Sequence, residues 1–241
     1  MEKNPVSASQ YTIAETARNS VEQNGSAIIR DVFSTPEITS LLSKFEQMAL
    51  PVDRAGSRHL MANPEVAALA RQRHLVTIAE SVLGPGAWPF RATFFDKSSE
   101  TNWLVPWHQD TALPLQSRQE APGWGPWSVK EGINYAHAPT SALNQILALR
   151  IHLDDSTEQN GPLRVLPGTH NRGVLSDDEV EQVAKQLSPV TCLVPKGGVI
   201  LMRPLLIHAS SKSHTEARRR VLHVEYASHD KIGNGLHLAV A

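Results

Sequence analysis

The sequence predicts a mainly β protein of the jelly-roll type with helices packed against it, and three observations predict it. From about Trp88 the apolar residues change from a helical period to a period of two and keep it, one helical insert aside, to the end of the chain. The strand-like runs are short and are separated by turn signals at Asn160-Gly161-Pro162, Pro167-Gly168 and Pro195-Lys196-Gly197-Gly198. No strand-helix-strand alternation accompanies them, which argues for an antiparallel sandwich or barrel. The 241 residues stay in one compositional regime, so a single domain over 1–241 is expected, with 1–86 a helical buttress and 87–241 the β core.

The elements follow in order. Ile13, Ala17 and Val21 recur at helical spacing up to the stop signal Asn24-Gly25, and Ala27-Ile28-Ile29 then reads as a short buried strand. Thr35 is a suitable N-cap with Pro36 at the first helical position, ahead of the stripe Ile38, Leu41, Leu42, Phe45 and Met48. Asn63-Pro64 opens another short helix, and Leu75, Ile78, Ala79, Val82 and Leu83 form a third stripe ending at Gly84-Pro85. Strands are expected over 89–96, 146–153, 163–166, 190–194, 199–202 and 220–227, with a helix over 177–187.

Residues 111–144 break this pattern. The stretch holds four prolines and three glycines together with Trp124, Trp127, Tyr135 and His137, too aromatic for disorder and too long for a simple connection. It reads either as a lid-like loop over a pocket beginning at Asp110 or as an ordered loop whose tryptophans cover the sheet.

Composition narrows the function. A formal net charge of −1 from 23 basic and 24 acidic residues advertises neither nucleic acid nor an anionic membrane, and a small-molecule ligand is expected instead. The single cysteine, Cys192, forms no internal disulfide and no N-terminal apolar run resembles a signal peptide, which predicts a cytoplasmic protein. No stretch approaches the ~20 apolar residues that span a bilayer.

The chemistry centres on Trp107-His108-Gln109-Asp110. Residues two apart on an extended segment share a face, so His108 and Asp110 form a pair of metal ligands. A third ligand is expected in His208, which follows the strand at 199–202 in the largely apolar segment Arg203-Pro204-Leu205-Leu206-Ile207-His208. Two histidines and one carboxylate occupy one face of an octahedral metal and leave the other open, as in non-haem Fe(II) oxygenases, although the same donors also suit zinc. Eleven residues beyond His208, Arg219 opens the next strand. Its guanidinium can pair bidentately with the far carboxylate of a dicarboxylic 2-oxo acid, and the Ser210 hydroxyl can add a bond to it. Arg218 and Arg220 face the other way if the strand register holds. His170 reads more simply as a turn residue, and His152 and His223 as packing residues or pocket liners, than as ligands.

These residues resemble the phytanoyl-CoA dioxygenase family of Fe(II)- and 2-oxoglutarate-dependent oxygenases over roughly 93–227. Trp107-His108-Gln109-Asp110 looks like the family's proximal motif, and residues 160–170, from Asn160-Gly161-Pro162 to Gly168-Thr169-His170, are similar to its turn and strand. Arg203 to Ser210 looks like the distal histidine motif, and Arg219 stands where the cosubstrate arginine falls. The resemblance implies a double-stranded β-helix holding iron on His108, Asp110 and His208, with 2-oxoglutarate and O2 as cosubstrates. It also implies cosubstrate-pocket positions for Thr93 and for Arg150, where a relative carries an aromatic residue. Arg150 is open to three readings: binding cosubstrate, binding substrate, or pairing with an acid in the barrel. Halogenating relatives lack the carboxylate, so Asp110 implies oxygen insertion. Trp124, Trp127, Asn134, Tyr135 and His137 are expected on the substrate side, hinting at a moderately apolar metabolite. A CoA thioester needs basic residues, which Arg54, Arg58, Arg71 and Arg73 supply only if the fold brings them to the pocket mouth. The competing classes are a non-catalytic metal-binding protein and a zinc or nickel enzyme of the cupin type.

Overall fold

The computed structural model describes residues 8–48, 50, 56–98 and 101–241, with side chains from residue 15 onward. Arg54 and the side chain of Ile13 lie outside the described residues. The chain runs α1 (Ala8–Asn24), β1 (Ser26–Ile29), α2 (Thr35–Gln47), α3 (Pro64–Ala70), α4 (Arg73–Leu83), β2 (Trp88–Lys97) and β3 (Val105–His108). There follow β4 (Ala112–Leu115), β5 (Trp127–Lys130), β6 (Ile133–His137), α5 (Thr140–Leu143), β7 (Ile146–His152), β8 (Leu163–Val165), α6 (Asp177–Gln186), β9 (Val190–Thr191), β10 (Val199–Met202), β11 (His208–Ser210) and β12 (Arg219–Ala227). Among these residues a five-stranded sheet has the order β1-β10-β7-β12-β2 and a four-stranded sheet the order β3-β11-β8-β9. All pairings are antiparallel, giving the two layers of a jelly roll.

Both faces of the larger sheet are covered, and the period of two divides their work. On β7, Leu147, Leu149 and Ile151 pack outward against the helices in one core with Val21, Ile38 and Leu75, joined by Ala92 and Phe94 from β2 and Leu222, Val224 and Tyr226 from β12. Each fully buried leucine or isoleucine contributes about 1.5–3 kcal/mol. That stability lets the alternate residues face the interior as polar groups. At one end the interior is apolar, with Ala148, Leu163, Val165, Ile200, Met202 and Leu206 in contact. At the other it opens into a cavity lined by Arg91, Thr93, Phe95 and Lys97 of β2, Arg150 of β7, and Arg219, His223 and Glu225 of β12.

Three expectations are corrected. The N-cap of α2 is Ser34 rather than Thr35, because Glu37 stands three residues after Ser34 and accepts from its backbone N–H at 2.7 Å and its hydroxyl at 2.6 Å. The strand expected over 190–194 is confined to β9, after which Val194 bridges Ser156 instead. The stretch 111–144, expected as a lid-like or ordered loop without strands, holds a three-stranded sheet of β4, β6 and β5. Pro114 concealed it: β4 is an edge strand, where a missing N–H is tolerated. No helix among the described residues is long and apolar enough to cross a membrane.

Candidate metal centre and cosubstrate cavity

Strands β3 and β11 are antiparallel neighbours, and their register sets His108 directly opposite His208. The two rings lie 4.1 Å apart, centre to centre. The chain turns just beyond β3, where the Asp110 N–H donates to the Pro204 carbonyl at 2.9 Å. Gln109 pins this turn: its amide donates to the carbonyls of Gly173 and Leu205 at 2.9 and 2.8 Å, and its oxygen accepts from the Leu175 N–H at 2.9 Å. Asp110 is thereby set between the imidazoles, 3.7 Å from His108 Nε2 and 3.5 Å from His208 Nε2. One ligand atom from each of the three residues lies within 4.8 Å of the others.

The backbone fixes which ring nitrogens face the centre. Nδ1 of His108 is 2.9 Å from the Pro106 carbonyl, and Nδ1 of His208 is 2.8 Å from that of Leu206. A carbonyl only accepts, so each Nδ1 carries its proton, and in the neutral imidazole Nε2 is the nitrogen with the lone pair. Burial pushes the His208 imidazole down to about 4, against the pull of Asp110, which leaves it neutral at ordinary pH. Burial also opposes the Asp110 charge, but His208, His108 and His223 outweigh it and hold the carboxyl well below the usual carboxylate range.

The deep end of the cavity is cationic. Arg219 is buried, donating from Nε to the Asn160 carbonyl and from a terminal nitrogen to the Ser210 hydroxyl, both at 3.3 Å. Lys97, 1% exposed, donates to the Ser210 hydroxyl at 2.9 Å and the Ser211 carbonyl at 2.6 Å. Burial, then Arg219 and Arg150, push the Lys97 ammonium down to about 7. Arg150 donates to His223 Nδ1 at 3.0 Å and keeps its buried Nε without a partner. Of the readings left open for Arg150, pairing with an acid is thus not what the structure shows. Its neighbour is a histidine. Arg218 and Arg220 point away from the cavity, to Asp96 and Asp154 respectively.

Ser210 joins these groups. Its hydroxyl has one proton, donated to the Gly161 carbonyl at 2.9 Å, while Lys97 and Arg219 donate to the oxygen. In this arrangement the serine positions the two cations. Gly161 itself has φ +68°, and a Cβ there would lie 2.4 Å from the Ser211 carbonyl oxygen. Gly161→Ala is therefore expected to cost roughly 1–3 kcal/mol in a denaturant melt, with weaker 2-oxoglutarate binding; an unchanged midpoint would refute this account of the turn.

The family model for phytanoyl-CoA dioxygenase (PhyH) matches residues 21–221. The chain belongs to the phytanoyl-CoA dioxygenase family. A curated relative, L-proline trans-4-hydroxylase of Streptomyces griseoviridis, is 28% identical over 186 residues, covering 66% of this chain and 62% of the relative. The chain thus spans less than two-thirds of that relative's length. Among solved structures, AviO1 from Streptomyces viridochromogenes Tue57 is 22% identical with a TM-score of 0.62, covering 88% of this chain and 93% of that one. EctD from S. alaskensis, solved with 2-oxoglutarate and 5-hydroxyectoine, is 20% identical with a TM-score of 0.66, covering 94% of this chain and 78% of that one. Likeness at these identities establishes the shared jelly-roll fold.

Within this phytanoyl-CoA dioxygenase family chain, one cavity of about 540 Å³ brings together His108, Asp110, His208, Arg219, Ser210, Thr93, Arg150, Tyr135 and His137. Trp127 and Asn134 are not among its lining residues. The strand period explains both. Asn134 faces oppositely to Tyr135 on β6, and Trp127 is paired across the sheet with Ala136, so it packs with Trp124 in the apolar cluster behind the sheet. Of the arginines considered for the mouth, Arg58 lines the cavity, whereas Arg71 and Arg73 do not. Sequence reasoning passed over Lys97, Arg91 and Glu225. The last two form a buried ion pair, and Arg91 also donates to the Ala112 carbonyl at 2.8 Å. The available signal was period two: Arg91, Thr93 and Lys97 share a face, as do Arg219, His223 and Glu225.

Proposed function

We propose that this chain is an Fe(II)- and 2-oxoglutarate-dependent dioxygenase that hydroxylates a small-molecule metabolite with release of succinate and CO2. The observation that carries the reading is a lone-pair-bearing His-Asp-His triad opening onto the same cavity as three buried cations, Lys97, Arg150 and Arg219. The donor set fits a divalent iron: two imidazole nitrogens fixed by backbone bonds and one carboxylate make the facial triad that leaves positions open. His108, Asp110 and His208 would hold it. Fe(II) there supplies the dioxygen chemistry that couples decarboxylation of 2-oxoglutarate to substrate oxidation.

The remaining work falls to the chain. Arg219 pairs with the far carboxylate of 2-oxoglutarate, helped by Lys97, whose third N–H is free of the two bonds described, and by the unpartnered Nε of Arg150. Thr93 and Phe95 flank the cosubstrate on β2. Tyr135 and His137 belong to the substrate side, and the sheet formed by β4, β5 and β6 covers the cavity and limits water, so that 1–241 works as one catalytic domain. The small net charge accords with a cytoplasmic enzyme whose partner is a metabolite rather than nucleic acid or a membrane.

Turnover decides between this reading and a zinc, nickel or non-catalytic metal protein. Purified protein with Fe(II), ascorbate and 2-oxoglutarate is expected to form succinate slowly without substrate, and only in the presence of O2. Equal activity under nitrogen, or with zinc replacing iron, rules the reading out.

Lys97 gives a second check. At pH 8 the free ammonium, down to about 7, is mostly neutral, and a bound dianion restores its charge. Binding should then take up a proton, approaching about one per 2-oxoglutarate, and affinity should fall as pH rises through 7. Calorimetry in two buffers of different ionisation enthalpy reads this uptake; Lys97→Met should remove it, and buffer-independent enthalpies in the unmodified protein contradict the assignment.

A further inference from the structure

The cavity carries more positive charge than the cosubstrate accounts for. Its lining includes Arg58, Arg91, Lys97, Lys130, Arg150 and Arg219 against two carboxylates, Asp110 and Glu225. Asp110 belongs to the triad and Glu225 to Arg91. Lys97, Arg150 and Arg219 face the deep end. Arg58 and Lys130 remain, both half-buried and lining the same cavity. Among the described residues neither has a hydrogen-bond or ion-pair partner. Glu131, next to Lys130 in sequence, turns to His59 at 3.1 Å, and the other nitrogen of that ring meets the Tyr135 hydroxyl at 2.9 Å.

Their placement is built rather than incidental. Lys130 pairs with Ile133 across β5 and β6, which puts it on the Tyr135 face and toward the cavity. Its ammonium lies 4.8 Å from the centre of the Tyr135 ring, and the Arg91 guanidinium carbon lies 5.9 Å from the same centre. Burial first, and then Arg58 and Arg91, weaken the hold of Lys130 on its proton. Cations crowded in a half-buried pocket without counter-charge are unfavourable alone and become favourable around an anion. We propose that the substrate is an anionic small molecule whose carboxylate or phosphate is held between Arg58 and Lys130, with its body against the Tyr135 ring. This rests on the oxygenase reading and adds the charge of the substrate and the end by which it is held. Arg58 supplies the planar fork and Lys130 a point charge, and the reacting carbon then lies between this anchor and the triad.

Two measurements test it. With Fe(II), O2 and 2-oxoglutarate, succinate formation is followed while adding L-amino acids beside their amides, and sugar phosphates beside the parent sugars. Stimulation is expected only from members that carry the carboxylate or phosphate, from the first set if the anchor takes carboxylate and the second if it takes phosphate. Arg58→Gln and Lys130→Gln should each raise KM for the stimulating compound about 10-fold or more, with kcat falling less. Stimulation by the amides or the parent sugars as strong as by their carboxylate- or phosphate-bearing counterparts overturns the proposal. The second measurement needs no turnover. In the holoenzyme under nitrogen at matched ionic strength, modification of Arg58 by phenylglyoxal and of Lys130 by acetylation is mapped by mass spectrometry. Acetate or inorganic phosphate should slow both severalfold, acetamide should not, and Arg58→Gln should abolish protection of Lys130. If neither anion protects, the anchor is wrong even if succinate is formed; if no succinate forms but protection holds, the oxygenase reading alone fails.

Discussion

Asp110→Ala is expected to lower Fe(II) affinity by more than about 100-fold and to abolish succinate formation. Loss of groups merely supporting metal ligands costs 10- to 100-fold, and on the proposed reading Asp110 is itself one of three donors and the only anion among them. The two histidines remain with their Nδ1 protons held by the Pro106 and Leu206 carbonyls, so the fold should survive and the loss should be confined to the centre. Titration with Fe(II) under nitrogen and circular dichroism separate the two effects. Retained iron affinity in a folded Asp110→Ala protein would show that the metal binds elsewhere. Asp110→Gly tests the same donor with a smaller side chain and should be equally inactive.

Arg219→Ala should raise KM for 2-oxoglutarate roughly 100-fold, the equivalent of about 3 kcal/mol for a buried, charge-assisted pair. The residue is 4% exposed, so water cannot replace the guanidinium easily, while Lys97 and Arg150 keep part of the attraction. Fe(II) binding should be unaffected, because among the described residues Arg219 bonds to Asn160 and Ser210 and not to the triad. Arg219→Lys should recover little, since an ammonium cannot reproduce the planar fork. A KM within threefold of the unmodified enzyme would move the cosubstrate carboxylate to another partner.

Much of this architecture is legible in the chain because burial on two faces leaves a clear trace. β7 is apolar at every position except Arg150 and His152, and those two departures lie on the face turned inward. His108 and Asp110 are close in sequence, and His208 and Arg219 are carried by motifs. Lys97 was not legible. Its burial depends on Ser210 and Ser211, more than a hundred residues away, and a lysine at a strand end before serines looks like surface. Register decides the covering sheet in the same way. Nothing in the local sequence distinguishes Trp127, which packs behind β5, from Lys130, which faces the cavity; only pairing with β6 assigns the faces.

The cationic floor formed by Lys97, Arg150 and Arg219 also bears on how a catalytic cycle ends. On the proposed function, succinate keeps the same far carboxylate as 2-oxoglutarate, so this end of the cavity would hold spent and fresh cosubstrate alike. Discrimination between them would then fall to the iron that His108, Asp110 and His208 would hold, since only the 2-oxo acid carries a keto oxygen beside its near carboxylate. Product departure is then the step that the floor should retard, and added succinate is expected to compete with 2-oxoglutarate.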